Sequence, residues 1–292
     1  MFLSRRLLEC YRTLGYGFPH VLLCEIFVSF VFEKSLEHPS IPVSGLENKP
    51  SLSVTAPECG RKMSKPAVSV IIPAFNEEKN IDDVLTRLYK AAESNSLPYE
   101  IIVVDDGSTD KTKVLACRPE VIVLGNETNQ GKGFALQRGF QHAQGDIIVT
   151  MDSDGSHDPE DIERLIVPLL NGADVVLGSR FLAGQGNDST KKLHVFGNIL
   201  INFLVLVMTG KYITDSQTGF RAYRKKVLQE IDITSEGYHV ETELTVKTLR
   251  NDNVVEEVPI KINKRMNGCS HLNPLTDGFR IFKTIVKSSI IH

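Results

Sequence analysis

Little in this chain points to a disulfide framework, a zinc centre or a membrane span. Its five cysteines, Cys10, Cys24, Cys59, Cys117 and Cys269, are odd in number, scattered and without a CxxC pair. That pattern argues against a cysteine scaffold and fits reduced thiols in a cytosolic protein. The formal charge is only −3, so the chain as a whole offers no electrostatic footprint for nucleic acid. Long apolar runs are also missing. Phe18 to Phe32 covers about fifteen residues, against the roughly 20 that a span needs, and contains His20 and Glu25. Leu193 to Met208 is interrupted by His194, Gly197, Asn198 and Asn202. No repeat is present beyond a strand–helix alternation.

What remains is an ordinary globular composition, with 41% apolar and 24% charged residues, enough to bury a sizeable core. The first sixty residues differ from the rest. Arg5-Arg6 precedes the Phe18–Phe32 stretch as in a signal or anchor, but no small-residue cleavage site follows. Pro39 to Pro66 is rich in Pro, Ser, Gly and Glu, the composition of a linker. Met63 stands immediately before the first strong strand. We expect residues 1–62 to be a disordered extension or upstream sequence and residues 63–292 to form the working domain.

From Val68 the punctuation is regular. Val68–Ile72, Ile101–Val104, Val121–Leu124, Ile147–Met151 and Val175–Leu177 are short β-branched runs without polar alternation, as in strands buried on both faces. Between them lie helical patterns. Ile81, Val84, Leu85, Leu88 and Ala92 fall at helical spacing, Gly131–His142 forms a second helix, and Asp158-Pro159-Glu160 opens another through Leu170. Ser108-Thr109-Asp110 can cap a short helix. The series predicts a doubly wound, mostly parallel sheet with helices on both faces.

Two of these strands run straight into carboxylates: Asp105-Asp106-Gly107-Ser108-Thr109-Asp110 and Asp152-Ser153-Asp154-Gly155-Ser156-His157-Asp158. Each cluster alone also reads as turn chemistry and helix capping. At successive strand ends they point to a ligand crevice. Residues two apart on an extended path face the same way. Asp152 and Asp154 can then share a hard cation, Mg²⁺ or Mn²⁺. His157 has two readings, as a ligand or as a turn cap.

Ile72-Pro73-Ala74-Phe75-Asn76-Glu77-Glu78, Val104–Asp110, Asn129-Gln130-Gly131-Lys132-Gly133 and Asp152-Ser153-Asp154 stand in the order and spacing of family 2 glycosyltransferases. Gly178-Ser179-Arg180, Asp215–Arg221 and Arg265-x-x-Gly268-x-Ser270 resemble the dolichyl-phosphate mannose and glucose synthase branch. The resemblance covers roughly residues 66–288. It implies a GT-A, Rossmann-like fold with a C-terminal acceptor region, a nucleotide-sugar donor, a divalent cation and a polyprenyl phosphate acceptor. The implied activity is inverting hexosyl transfer at the cytoplasmic face of a membrane.

The resemblance also implies roles. Glu77 and Asp106 contact base or ribose, Pro73 and Phe75 shape the base pocket, and Lys132 approaches the diphosphate. Glu77 also reads as a first-turn acid, and Lys132 as a solvated lysine. Asp152 and Asp154 hold the metal. Ser156 stands where some relatives have Gln and can add a weak oxygen. Arg180, Lys191, Lys192, Arg221 and Arg265 supply cations for the acceptor phosphate, with Ser270 beside them, although Lys191-Lys192 also reads as a solvated pair. His271 replaces a Lys common in relatives. Glu241 and Glu243 either line the site or form structural ion pairs.

Leu193–Met208 reads as an amphipathic helix at a membrane surface, and Pro274–Val286 as an interfacial or core-packed helix. With no tryptophan, the chain lacks the Gln-x-x-Arg-Trp motif of processive polysaccharide synthases. Pro73–Glu78 also lacks the glycine-rich basic loop of a nucleotidyltransferase. A hydroxyl-acceptor transferase and a non-catalytic nucleotide-sugar-binding module remain as alternatives.

Overall fold

The structure, a computed structural model, describes residues 65–94, 97–182, 192–237, 239–263 and 284. The chain divides into two units, residues 1–58 and 59–292, and everything described belongs to the second. The expected extension of residues 1–62 lies outside the described residues.

Among them, seven strands form one sheet: β1 (Val68–Ala74), β2 (Tyr99–Asp105), β3 (Val121–Gly125), β4 (Ile147–Thr150), β5 (Val175–Ser179), β6 (Arg221–Arg224) and β7 (Val255–Pro259). The helices are α1 (Ile81–Ser94), α2 (Thr112–Ala116), α3 (Lys132–His142), α4 (Ile162–Leu170), α5 (Lys192–Thr209), α6 (Lys225–Glu230) and α7 (Val240–Arg250). The strand order is β3-β2-β1-β4-β6-β5-β7. Every pairing is parallel except the two made by β6.

Alternation along the apolar strands sorts the core into two layers. Val70, Ile72, Ile101, Val103, Val149 and Val176 pack with α1 and α4. Ile71, Ile102, Val104, Ile148, Val175 and Leu177 pack with α3, α5 and α7. In α1 the buried residues are Ile81, Val84, Leu85 and Leu88, the stripe that the spacing predicted. Each such side chain contributes roughly 1.5–3 kcal/mol when fully buried. Asp158 caps the turn before α4 by accepting from the Glu160 amide, with Pro159 at the first helical position.

The apolar pattern anticipated the first five strands but not the last two. β6 is four residues long and bounded by Arg221 and Arg224, while β7 carries Glu256, Glu257 and Pro259. Neither has the apolar run that marks the others. Because β6 runs antiparallel, the Gly219-Phe220 turn before it joins the C-terminal ends of β1, β2, β4 and β5 on one rim of the sheet.

Helix α5 forms where an amphipathic segment was expected, with Val205 in the core and Ile201, Leu204 and Met208 packed against it. Asn198 and Asn202 are buried and donate to the Thr214 carbonyl at 3.4 and 2.6 Å. Ile199 and Leu200 are 60% and 41% exposed. No helix among the described residues is long and apolar enough to cross a membrane. Pro274–Val286 lies outside the described residues apart from residue 284.

Candidate active site

The turns after β1 and β2 are stitched together. Asn76 takes a left-handed conformation (φ 56°) and is held there from both sides. Its amide donates to Ser108 Oγ at 2.9 Å, and its Oδ1 accepts from the Thr109 amide at 2.9 Å. The Glu77 and Glu78 amides donate to Thr112 Oγ1 and Asp110 Oδ2. Asp110 also accepts from the Thr112 amide at the start of α2, so it acts as the anticipated cap. Glu77 keeps its carboxylate half-buried against Asn80 Nδ2 at 2.6 Å. Two residues earlier, Phe75 leaves 39% of its surface exposed, whereas Pro73, expected to shape the base pocket with it, is buried inside β1.

Asp106 is almost fully buried and accepts three hydrogen bonds. They come from Asn126 Nδ2 (2.7 Å), the Gln130 amide (3.0 Å) and the Gly131 amide (2.7 Å). The carboxylate therefore shapes the loop leading into α3. Its roughly four acceptor positions leave about one for a ligand. Asp105 is also buried, and its Oδ1 has no hydrogen-bond partner.

At the end of β4 the extended path stops at Thr150, and the chain turns through Ser153, Asp154 and Gly155 (φ 76°). Strand alternation therefore does not align Asp152 with Asp154 as expected. A turn brings both carboxylates into the electrostatic reach of His157. His157 Nδ1 accepts from the Asp152 amide at 3.2 Å, which places the ring proton on Nε2, 3.9 Å from Asp152 Oδ2. The ring stacks on Phe220 at 4.9 Å. Burial lowers its pKa and outweighs the two aspartates, so the imidazole is neutral. Of its two readings, the turn cap is the one the structure displays. The Ser156 amide donates to Asp154 Oδ1 at 2.9 Å, which orients that carboxylate.

Two cations close on this turn. Lys132, at the start of α3, contacts Asp152 Oδ1 at 2.5 Å and Glu241 Oε1 at 2.6 Å. Burial opposes its charge, but the two carboxylates prevail and raise its pKa. Burial likewise opposes ionisation of Asp152, yet the charges of Lys132 and, beyond it, Arg180 hold it well below the usual carboxylate range. Arg180, at the end of β5, makes a bidentate pair with the fully buried Asp215 through Nε (2.6 Å) and Nη2 (2.7 Å). That geometry fixes the guanidinium plane.

The segment Asp215–Arg221 is the scaffold under the turn. Asp215 holds Arg180. The Ser216 hydroxyl donates to Asn202, and Gln217 donates to Thr242. A Cβ at Gly219 would sit 2.6 Å from both Asp152 carboxylate oxygens, so a side chain there would push that carboxylate aside. Thr150 ties β4 to the Gly219 carbonyl at 2.8 Å.

Arg221 corrects an expectation. It is 1% exposed, and its guanidinium donates to the carbonyls of Thr218, Ser216 and Glu241 and to Thr245 Oγ1. It pins the scaffold from within and does not reach an acceptor phosphate. Glu243 is resolved in the same sense. It is fully buried, accepts from the Thr234 and Ser235 amides and pairs with Lys247 at 2.6 Å. Although burial raises its pKa, these partners lower it to about 2. Glu241, two residues earlier, does line the site.

The Gly131-Lys132-Gly133 loop also differs from expectation. Its glycines admit the Ser235-Glu236 backbone, and the Gly133 and Phe134 amides donate to the Glu236 carbonyl. A peptide carbonyl thus occupies the helix start that was read as an anion seat. The loop's remaining contribution is the Lys132 ammonium. Lys191, Arg265, Ser270, His271 and the Lys192 side chain lie outside the described residues.

Asp215, Glu257 and Asn202 were assigned no individual role from the sequence. Glu257 anchors the Thr214 and Asp215 amides at 2.8 and 3.0 Å. Nothing in local pattern signals these roles, because every partner is distant in sequence.

Asp152 and Asp154 present hard oxygen donors at this turn, and Ser156, beside them, orients Asp154. Such a set fits Mg²⁺ or Mn²⁺. Among the described residues no group of three His, Cys, Asp or Glu side chains converges as a chelate. A cation there would therefore complete its shell with substrate phosphate or water.

Residues 69–232 match the family profile described as Glycosyl transferase family 2. A dolichol-phosphate mannosyltransferase of Pyrococcus furiosus is 35% identical over 216 residues, covering 72% of this chain and 60% of that enzyme. A UDP-N-acetylglucosamine–dolichyl-phosphate N-acetylglucosaminyltransferase of Methanococcus voltae is 32% identical over 243 residues, covering 75% of this chain and 95% of its own length. The glucosyl-3-phosphoglycerate synthase of Mycobacterium tuberculosis, solved with Mn²⁺, uridine diphosphate and phosphoglyceric acid, superposes with a TM-score of 0.62 at 26% identity. That match covers 78% of this chain and 80% of the other. With a rim of this geometry and a family profile spanning more than half its length, the chain belongs to glycosyl transferase family 2, resembles its dolichyl-phosphate branch and is a glycosyltransferase.

Proposed function

We propose that this chain transfers a hexose, with inversion, from GDP-mannose or a UDP-sugar to a polyprenyl phosphate such as dolichyl phosphate. The observation that carries the reading is the Asp152–Asp154 turn, braced by Lys132 on one side and the Arg180–Asp215 pair on the other. The dolichyl-phosphate relatives support the acceptor class. The neighbour solved with Mn²⁺ and uridine diphosphate supports the donor class and the cation.

In this reading Phe75 offers a ring face to the base, and Glu77 with the remaining acceptor position of Asp106 takes base or ribose donors. Asp152 and Asp154 hold Mg²⁺ or Mn²⁺, with Ser156 nearby. When bound, the cation supplies positive charge that stabilises the departing diphosphate. An acceptor phosphate is already anionic, so no side chain has to remove a proton. Its oxygen forms the new bond to the anomeric carbon from the face opposite the nucleoside diphosphate, which leaves with the electron pair. Catalysis then rests on positioning and charge. Arg180, held flat by Asp215, is the described cation for the acceptor phosphate, and Lys192, Arg265 and Ser270 are the proposed complement.

The exposed Ile199 and Leu200 of α5 support peripheral contact with a membrane, at the cytoplasmic face where the donor is available. Vesicle flotation compares the wild type with the Ile199→Ser/Leu200→Ser variant, and equal flotation would remove this placement.

A second reading has its own support. Glu241 Oε2 has the unpartnered acceptor that a general base for a hydroxyl acceptor would need. One donor screen separates the two. Labelled GDP-mannose, UDP-glucose and UDP-N-acetylglucosamine are each incubated with dolichyl phosphate and Mn²⁺. We expect a labelled, mild-acid-labile lipid with one donor. No lipid product with any donor would favour the hydroxyl acceptor.

A further inference from the structure

Lys132 sits between two carboxylates, and one of them is a proposed metal ligand. Its ammonium contacts Asp152 Oδ1 and Glu241 Oε1 at nearly equal distances, so either carboxylate can hold it alone. Glu241 is nearly fully buried, with a side chain only 6% exposed, and its Oε2 has no hydrogen-bond partner. An unfilled acceptor beside a shared cation is a place for that cation to move to. The backbone, by contrast, is fixed. The Glu236 carbonyl binds the Gly133 and Phe134 amides, and a Cβ at Gly133 would collide with the Ser235 carbonyl. The ammonium can therefore change partner only by a rotation of the lysine side chain, without movement of α3.

We propose that Lys132 and the divalent cation compete for Asp152, and that Glu241 is the seat to which the ammonium retreats when the cation binds. This inference rests on the metal reading of Asp152 and Asp154. Two positive charges cannot share one carboxylate oxygen without strong repulsion. Lys132 thus weakens cation binding to the protein alone. When the cation arrives with a nucleoside diphosphate, the phosphates add negative charge that offsets the repulsion and gives the displaced ammonium a further partner. The result is positive coupling between cation and nucleotide, imposed by one lysine. It keeps the site from filling with a cation that brings no donor.

The test reads binding directly. Free Mn²⁺ is followed by electron paramagnetic resonance during titration, with and without UDP or GDP. Wild type, Lys132→Met, Glu241→Gln, the double variant and Asp154→Asn are compared, and melting curves confirm folding. We expect Lys132→Met to tighten nucleotide-free Mn²⁺ binding by about tenfold and to shrink its enhancement by nucleotide, within the roughly 5–150-fold range of such couplings. Glu241→Gln should weaken nucleotide-free binding in the wild type and have little effect in the Lys132→Met background, because its action passes through the lysine. The proposal is overturned if Lys132→Met leaves nucleotide-free affinity unchanged or weaker while Asp154→Asn still abolishes binding. If Mn²⁺ binding is absent throughout, or insensitive to Asp154→Asn, the metal reading itself fails and takes the proposal with it.

Discussion

The acidic turns after β2 and β4 are alike in sequence and opposite in construction. Asp106 is bound by neutral donors, two of them backbone amides, which cannot leave without unfolding the loop. Asp152 is held by the ammonium of a flexible side chain, which can exchange partners. The first carboxylate is mainly a joint that shapes its surroundings, and the second is built to trade one cation for another. Partner type, more than carboxylate count, separates a structural acid from a chemical one. Glu243 and Glu241 repeat the contrast on one helix, the former spent on the Thr234-Ser235 amides and Lys247, the latter open at Oε2.

The most damaging change to activity should be at the β4 turn. Asp154→Asn is expected to cost roughly a thousandfold in turnover, the scale of several kcal/mol of charge stabilisation. Its melting temperature should be near that of the wild type. Steady-state rates with saturating Mn²⁺ check this, and a loss caused by unfolding would erase the contrast between the turns. The β2 turn should respond the other way. Asp106→Ala strands the Asn126, Gln130 and Gly131 donors and should lower stability by roughly 3 kcal/mol, read by urea denaturation. If Asp106→Ala is as stable as the wild type, the joint interpretation is wrong.

The glutamate pair allows a pH test. The folded pKa of Glu243 is lowered to about 2 from 4.5. Its stabilisation is therefore complete above about pH 4.5 and is lost as pH falls toward 2, with a magnitude on the order of 2–3 kcal/mol. The difference in melting temperature between wild type and Glu243→Gln should shrink across that window. A constant difference would contradict the assignment. The smallest expected effect is at the rim. Phe75→Leu should weaken nucleotide binding by about 1 kcal/mol through lost ring contact, as measured by calorimetry.

The rim of the sheet was legible because β-branched runs that end in Asp-rich turns place carboxylates at the mouth of a parallel sheet, where ligands bind. Asp152, Asp154, Lys132 and Arg180 were picked out that way, or through the motifs beside them, and the structure places them at this rim. Burial was not legible. The type of Arg221 suited a phosphate, and only its enclosure by three carbonyls shows that it is occupied. The asparagines of helix α5 show the same limit. Amphipathic reasoning sends asparagine outward, whereas Asn202 turns inward to complete Thr214 and Ser216. Strands β6 and β7 carry too many charged residues for the apolar pattern to detect. The Lys132–Glu241 and Arg180–Asp215 pairs join segments that are remote in sequence, so no spacing rule reaches them.

The central claim is that both acidic turns serve one nucleotide-sugar site. Anomalous diffraction from crystals grown with Mn²⁺ and UDP or GDP tests it most directly. The prediction is a manganese peak bound by Asp152 and Asp154, with the diphosphate on the metal and the base against Phe75 beside the Asp106 loop. A nucleotide bound elsewhere, or a metal that touches neither aspartate, would contradict it.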